Sequence, residues 1–144
     1  MSKPAPPTRA DYKVFYPITT RWSDNDIYGH VNNVTYYSYF DTVANRYLIE
    51  EGGLDIGDGS IVGYVVSSGC DYHSPVTYPE SLEAGLRVDK LGNSSVQYGI
   101  AIFRAGEPVA SAHGHFVHVF VERAVNRAVA IPPPLRSALQ RLLD

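Results

Sequence analysis

The sequence predicts an α+β domain in which an antiparallel sheet curves around one long central helix. Apolar and aromatic residues recur at three- and four-residue steps between Tyr36 and Leu48, which is the period of one helix face. Four strand-like runs follow this stretch, and the sequence Gly92-Asn93 joins two of them as a hairpin turn would. Consecutive hairpins imply antiparallel pairing, and a single long helix must bury its broad apolar face against the sheet.

The amino-terminal part of the chain predicts a tail followed by a strand. Residues 1–11 contain several prolines and no apolar period, so we expect a flexible tail, with residues 12–144 forming a single domain. The β-branched and aromatic run 12–20 is typical of a strand. Pro17 favours an edge position for it, because proline cannot donate a hydrogen bond to a neighbouring strand.

The rest of the chain alternates strands and turns after the central helix. We expect the helix to end at Gly52 and Gly53, since glycine accepts the left-handed conformation that commonly closes a helix. The predicted strands are residues 60–76, 80–92, 94–103 and 109–121. One face of two of these strands carries Leu82, Ala84, Leu86 and Val88, and Val96, Tyr98, Ile100 and Ile102. A proline-led terminal helix follows from residue 131.

Composition and charge exclude several classes of protein. The chain has 144 residues, 44% of them hydrophobic and 19% charged, with a formal net charge of -3. A nucleic-acid partner is disfavoured, because such proteins are commonly basic. The single cysteine, Cys70, excludes an internal disulfide and a cysteine-rich zinc site. With no apolar run of about 18 residues and no signal-peptide pattern, we expect no membrane span and a cytoplasmic location.

The stretch RWSDNDIYGHVNN, residues 21–33, is poor core material just before the predicted helix. Its acids and asparagines are good capping and turn residues, which is one interpretation. The other is chemical: the first turn of a helix has unpaired N–H groups that can polarise a carbonyl, while a nearby carboxylate such as Asp26 attacks it or activates water. That combination suits acyl transfer, and both interpretations stay open on the residues alone.

The longer stretch RWSDNDIYGHVNNVTYYSYFDTVANRYL resembles the entry motif of the hot-dog-fold acyl-CoA thioesterases of the 4-hydroxybenzoyl-CoA thioesterase type. That group's pattern is close to R-x-x-D-x-D-x-x-G-x-V-x-x-x-x-Y and leads into the long central helix. The chain matches it with Arg21, Asp24, Asp26, Gly29, Val31 and Tyr36. The variant GHVNN resembles the long-chain acyl-CoA thioesterase branch, and residues 12–121 follow the family's element order.

The resemblance implies a hot-dog fold and a role for each motif residue. Asp26 takes the place of the family's catalytic carboxylate, as nucleophile or as general base. Asn33 takes the place of the residue whose backbone amide polarises the substrate carbonyl. Gly29 is expected to form the tight turn between them, while Asp24 and Arg21 are expected to be scaffolding.

Three further residues are candidates for substrate binding. His30 and Asn32 are polar and close to the motif, so they can orient water or substrate, or serve only as hydrogen-bonding loop residues. Tyr36 is one of several tyrosines near the helix that can line an aromatic tunnel for an acyl or aryl chain, or simply pack in the core.

The implied substrate is an acyl- or aryl-CoA thioester, hydrolysed without cofactor or metal by a homodimer or homotetramer with its sites at a subunit interface. Two alternatives stay open. One is hydrolysis of acyl carrier protein thioesters. The other is a non-catalytic acyl-CoA-binding module of the same fold, against which the presence of Asp26 argues.

The remaining candidates are weaker. His113 and His115 would share one strand face and His118 the other, which leaves fewer ligands than the three that a catalytic zinc site takes from the protein. We therefore interpret them as satisfied strand histidines. Asp41, on the central helix, is a second candidate carboxylate or else part of a solvated helix face.

Overall fold

The computed structural model describes residues 5–57 and 59–143, and its elements follow the predicted order. The main helix, α1, spans Asn33–Glu50, and a short helix, α2, spans Pro133–Gln140. The strands are β1 Val14–Thr19, β2 Ile61–Tyr72, β3 Ser81–Leu91, β4 Ser95–Arg104, β5 Ala112–Glu122 and β6 Arg127–Ala128.

The sheet is antiparallel and curls around α1, as predicted. Its strand order is β1-β3-β4-β5-β2, and the two-residue β6 pairs with the end of β5. Gly92 N–H donates to Ser95 O at 2.8 Å and closes the predicted hairpin between β3 and β4. β1 occupies an edge of the described sheet, which agrees with the position expected from Pro17.

The core lies between α1 and the inner face of the sheet. The predicted apolar faces of β3 and β4 are buried throughout, and the helix contributes its own buried stripe. Burying a large apolar side chain contributes about 1.5–3 kcal/mol, so this two-layer core accounts for most of the favourable free energy of folding. The helix stripe consists of Tyr36, Tyr39, Phe40, Val43, Ala44, Tyr47 and Leu48.

Both ends of α1 are fixed by local chemistry. Asn32 is the N-cap, and its side-chain oxygen accepts a hydrogen bond from Val34 N–H. At the other end Gly53 has a φ of 71°, and Leu54 N–H donates back to Leu48 O at 3.0 Å. The predicted glycine stop is confirmed, because the chain can turn away only through this left-handed residue.

Part of the segment expected to be a tail lies against the outer face of the sheet. Residues 1–4 lie outside the described residues, but Thr8 forms a β-bridge with Val109, and residues 9–11 form a short 3₁₀ helix. Arg9 pairs with Glu83 at 2.7 Å, and its guanidinium lies 4.8 Å from the centre of the Phe103 ring. These contacts are distant in sequence, so local composition did not indicate them.

The edge strand β2 exposes apolar side chains. β2 is a 12-residue strand with a register shift between Val65 and Ser67, and Tyr64, Val65 and Val66 are all exposed there. Such an apolar edge is a natural place for another chain to pair.

Among the described residues, no helix has both the length and the apolar character needed to cross a bilayer.

Candidate active site

The loop before α1 folds as a small hairpin of its own. Gly29 N–H donates to Asp26 O at 3.0 Å, and Asp26 N–H donates to His30 O at 3.0 Å. Gly29 is the fourth residue of the turn 26–29. Its φ of 84° is left-handed and lets the chain reverse direction. Gly29 therefore forms the tight turn between Asp26 and the helix, and a side chain at that position would be strained.

The Asp26 carboxylate is held by two neutral amides. Oδ1 accepts a hydrogen bond from Tyr28 N–H at 2.9 Å, as an aspartate at the start of a turn commonly does. Oδ2 accepts from Asn32 Nδ2 at 3.1 Å. The side chain is half-buried, and each oxygen still has acceptor capacity, since an ionised carboxylate offers about four lone-pair sites.

Asn32 joins this carboxylate to the start of α1. Its Nδ2 contacts Asp26, while its Oδ1 accepts from Val34 N–H at 2.9 Å. Its own N–H donates to Asp24 O at 2.9 Å. One side chain therefore caps the helix and holds the candidate catalytic acid.

Asn33 is the first residue of the helix and is exposed. Within residues 5–57 and 59–143, no hydrogen bond has the Asn33 N–H as its donor. Its carbonyl accepts from the Tyr72 hydroxyl at 3.1 Å, which ties the first turn of α1 to the end of β2. An N–H in this position, at the positive end of the helix dipole, can donate to an oxygen that gains negative charge.

Asp24 is two residues from Asp26 but has a different environment. Its side chain is 1% exposed and accepts hydrogen bonds from Tyr39 Oη at 2.7 Å and from Arg21 Nη2 at 2.9 Å. Burial alone would raise the pKa of Asp24, but the hydrogen bonds from Tyr39 and Arg21 and the Arg21 charge outweigh it and leave that pKa below its ordinary value. The structure thus shows the Asp24–Arg21 pair and adds Tyr39, which the motif did not indicate.

A pocket of about 270 Å³ lies between the first turn of α1 and the end of β2. We call it the helix-end pocket. Of the predicted site residues, His30, Asn33 and Tyr36 line it, whereas Asp26, Gly29 and Asn32 fall outside its described lining. The full lining is His30, Val31, Asn33, Tyr36, Tyr72, His73, Ser74 and Pro75.

Tyr36 and Tyr72 form the aromatic wall of the helix-end pocket. Their ring centres are 5.1 Å apart in an edge-to-face arrangement, and Tyr36 is 3% exposed. Tyr36 therefore both packs in the core and borders the pocket. Tyr72 was not among the sequence candidates, because only the fold brings the end of β2 against the first turn of α1.

Two other cavities lie away from the loop. One of about 210 Å³ is almost entirely apolar and lies beyond the carboxyl end of α1, between Gly53 and Leu135. Another of about 670 Å³ is a groove beside β1 that includes Glu51 and Arg141. Neither includes the open Asn33 amide, which lines the helix-end pocket, so we take that pocket as the candidate site although the groove beside β1 is larger.

The strand histidines have protein partners. His113 Nδ1 lies 2.8 Å from His73 Nε2 in a stacked pair, and His113 Nε2 lies 4.0 Å from Asp71. His115 Nε2 lies 3.4 Å from Ser67 Oγ. Throughout the part of the chain that the structure describes, no three His, Cys, Asp or Glu side chains are grouped as metal ligands.

His118 lies on the opposite face of β5 from the other two histidines, as predicted. It is 1% exposed, with Nδ1 3.1 Å from the Tyr98 hydroxyl and with no hydrogen-bond partner for Nε2 among the described residues. Burial lowers the pKa of His118 to about 4. The imidazole is therefore neutral near pH 7 and belongs to the core.

Asp41, the second candidate carboxylate, lies on the exposed face of α1. Its Oδ1 accepts from Asn45 Nδ2 at 3.0 Å, one helical turn away. Neither Asp41 nor Asp26 lines the helix-end pocket, but Asp26 is joined to the first turn of α1 through Asn32.

Comparison with known proteins gives consistent relatives. The family model of the thioesterase superfamily matches residues 28–111. The PA5185 protein of Pseudomonas aeruginosa strain PAO1 is 61% identical, with a TM-score of 0.95 over 98% of each chain. The PA2801 protein, a putative thioesterase from Pseudomonas aeruginosa, is 30% identical, with a TM-score of 0.80 over 86% of this chain and 95% of that one.

A more distant structure shares the fold alone. Slr0204, a 1,4-dihydroxy-2-naphthoyl-CoA thioesterase from Synechocystis, is 17% identical to this chain. Its TM-score is 0.78, over 88% of this chain and 94% of that one. The sheet curled around a long helix is therefore kept at low sequence identity.

Proposed function

The chain belongs to the thioesterase superfamily and is a thioester hydrolase, and from this premise we propose that it hydrolyses the CoA thioester of an acyl or aryl acid. The hot-dog fold expected from the motif is confirmed. We further propose Asp26 as the reacting carboxylate, with the Asn33 N–H polarising the carbonyl. The choice of a CoA thioester is supported by membership of the thioesterase superfamily.

One observation carries the assignment of Asp26. Its carboxylate and the open first turn of α1 are fastened by the same side chain, Asn32, which binds Asp26 Oδ2 and caps the helix at Val34 N–H. Thioester cleavage needs a carboxylate that reacts or activates water and an N–H group that binds the oxyanion. Asp24 cannot serve, because its oxygens are buried and occupied by Arg21 and Tyr39.

In the proposed reaction the thioester carbonyl oxygen accepts a hydrogen bond from Asn33 N–H. Asp26 then either attacks the carbonyl carbon or removes a proton from an attacking water. Attack by Asp26 expels the CoA thiolate and leaves a mixed anhydride, which water hydrolyses to regenerate the carboxylate. In the general-base route, hydroxide adds directly and the proton held by Asp26 can pass to the thiolate.

The size of the helix-end pocket supports a site completed by a second copy of the chain. Its volume of about 270 Å³ is at or below the range of about 300–1,000 Å³ that small-molecule sites commonly have. The loop and the first turn of α1 also expose large apolar side chains, which is unusual for a free surface. These are Trp22 at 79%, Ile27 at 96%, Tyr28 at 82% and Val34 at 68% exposure.

We therefore propose a homodimer, or a homotetramer built from two such dimers, in which a partner covers this surface and the exposed edge of β2. Sedimentation at micromolar concentration should show no active monomer. An active monomer would contradict this part of the proposal and leave the choice of reacting residues untouched.

The function is tested by thiol release from a panel of short, long and aryl acyl-CoAs, read with a thiol-reactive dye. The same acids are then offered on acyl carrier protein. We expect release from at least one CoA thioester. Release only from carrier-protein thioesters would move the substrate to the carrier protein, and binding of acyl-CoA without release would contradict the hydrolytic role.

A further inference from the structure

We infer that Asn32 is a positioning residue that holds the Asp26 carboxylate in register with the oxyanion-binding turn of α1, and that it acts through Asp26 rather than on the substrate. The inference rests on the proposed function, because it assigns Asn32 a role in the reaction proposed for Asp26. It replaces the expectation that Asn32 binds substrate.

The geometry fixes the roles of both ends of the Asn32 amide. Its Oδ1 lies 2.9 Å from the donor Val34 N–H, and its Nδ2 lies 3.1 Å from the acceptor Asp26 Oδ2. The reverse orientation would place a donor against a donor and an acceptor against an acceptor, so the network itself determines the amide orientation.

The planarity of the amide makes this connection stiff. Val34 N–H follows Asn33 N–H by one peptide unit in the first turn of α1, so both belong to the same rigid turn. A single planar group that contacts this turn and Asp26 fixes the carboxylate relative to the carbonyl-polarising amide. Reactions between held groups depend steeply on such placement, and a misplacement of about 1 Å can cost about 10²-fold in rate.

Helix capping alone does not require asparagine here. Serine, threonine and aspartate cap helices about as well, because capping needs only a side-chain oxygen. Holding the carboxylate needs in addition a donor on a second terminal atom. Of the common capping residues only asparagine has one, because serine and threonine carry a single hydroxyl closer to the backbone and aspartate carries two acceptors. The two functions of Asn32 can therefore be separated by substitution.

Asn32→Ser keeps a capping oxygen but lacks the second terminal atom that donates to Asp26, and Asn32→Asp keeps a capping oxygen and replaces that donor by an acceptor. Asn25→Asp is the matched control: Asn25 lies beside Asp26 in the same loop, but its amide contacts Thr77 Oγ1 and Tyr78 N–H instead. Asn25→Asp therefore adds the same charge to the loop without touching Asp26.

The titratable groups around Asp26 are few. In the loop these are Asp24, which is paired with Arg21, Tyr28, whose N–H donates to Asp26 Oδ1, and His30, whose carbonyl accepts from Asp26 N–H. Glu80, in the connection between β2 and β3, is engaged by Arg104. A new carboxylate at position 32 would therefore be the only like charge in hydrogen-bonding contact with Asp26 among the described residues.

The experiment measures kcat, KM, the pH profile of kcat/KM and the melting temperature of the three variants with a CoA thioester that the parent hydrolyses. For Asn32→Ser we expect kcat to fall about 10- to 100-fold, with KM and melting temperature near those of the parent. For Asn32→Asp we expect the acidic limb of the pH profile to move to higher pH, because two adjacent carboxylates resist ionising together. Asn25→Asp should move neither quantity.

Each outcome decides one question. Parent-like kcat in Asn32→Ser, or an unmoved acidic limb in Asn32→Asp, overturns the positioning role and leaves the proposed function standing. A rise in KM with unchanged kcat overturns it in favour of substrate binding by Asn32. A parent that releases no thiol from any thioester overturns the proposed function, and this inference with it.

Discussion

Asp24 and Asp26 stand two residues apart in one loop, yet the fold gives them opposite environments. Asp24 is buried, and a guanidinium and a phenol donate to its oxygens. Asp26 is half-buried and is held only by neutral amides, with lone pairs to spare beside the exposed end of α1. A carboxylate whose oxygens are saturated by charged donors serves stability, whereas one that is held but not neutralised can react.

The direction of the Asp24 pKa shift supports this division. Hydrogen bonds from Tyr39 and Arg21 keep the pKa of Asp24 below its ordinary value despite burial, so it is a poor base at every pH at which the fold is intact. The difference between the two acids therefore depends on their partners, and the experiments below alter those partners one at a time.

The largest expected effect comes from exchanging each acid for its amide. Asp26→Asn keeps the shape of the side chain and removes the reacting oxygen, so turnover should fall about 10²–10⁴-fold. Binding of a non-hydrolysable acyl-CoA analogue should persist, because the pocket and the helix end are unchanged. Steady-state thiol release and analogue binding measure the two quantities.

Asp24→Asn is the matched control and should retain turnover per folded molecule. Equal losses of turnover in the two variants at matched folding, or a loss of only a few-fold in Asp26→Asn, would contradict the assignment. Asp41 would then be the next carboxylate to replace.

The second effect is on stability and should fall on Asp24 alone. Tyr39→Phe removes one donor from a buried carboxylate oxygen and should lower the free energy of unfolding by about 1–3 kcal/mol, or the melting temperature by roughly 5–10 °C. Calorimetry measures this. Tyr37→Phe, two residues earlier in α1, provides the control, since among the described residues no hydrogen bond joins Tyr37 to Asp24. An equal loss in both variants would mean that Asp24 is not the cause.

A third experiment separates the carboxylates from the buried imidazole by pH. His118 is neutral in the folded protein, with a pKa lowered from 6.5 to about 4, whereas the unfolded chain takes up a proton below about pH 6.5. The free energy of unfolding should therefore fall as the pH drops from 6.5 to 4, by up to about 3 kcal/mol. The lowered pKa of Asp24 has its effect only below about pH 4, so the two contributions occupy different windows.

Urea unfolding at pH 7 and pH 4.5 gives this difference, and His118→Gln should reduce it. A difference that persists unchanged in His118→Gln would place the titrating group elsewhere and weaken the separation from Asp24.

The smallest expected effect is that of removing metal, since neither carboxylate is proposed to hold one. Prolonged chelation should leave thiol release unchanged within error. His113→Ala should change turnover less than about two-fold, because His113 lies on the outer face of the sheet, paired with His73. A loss of turnover that added zinc restores would give the histidines a role in the reaction.

Short-range patterns in the sequence predicted the strands, the helix and the turn. The alternation from Leu82 to Val88 predicted a buried strand face, and the helical period from Tyr36 to Leu48 predicted the helix that packs on it. Pro17 indicated an edge strand for the same local reason, the missing N–H. The turn at Gly29 was also expected, because a short loop between an acid and a helix start requires a sharp reversal.

Contacts between distant segments could not be predicted from the sequence. Neither the bond from Tyr72 to Asn33 O nor the packing of Arg9 on Phe103 leaves any mark in the residues around it. The double contact of Asn32 is local in sequence, but it depends on the exact rotation of the loop, which composition does not encode. The motif therefore indicated the candidate site, and the different contacts of Asp24, Asp26 and Asn32 are visible only in the fold.

The hairpin of residues 21–33 also bears on protein engineering. About half of its hydrogen bonds are internal, including Asn32 N–H to Asp24 O and Asp26 N–H to His30 O, so part of its conformation is fixed within the loop itself. The loop is also held by hydrogen bonds to the connection between β2 and β3. There Val31 N–H donates to Val76 O at 2.8 Å, and Asn25 contacts Thr77. A loop transferred alone to another protein would lose these hydrogen bonds to residues 76 and 77. The smallest unit to transfer is therefore the loop, the first two turns of α1 and residues 76–80 together.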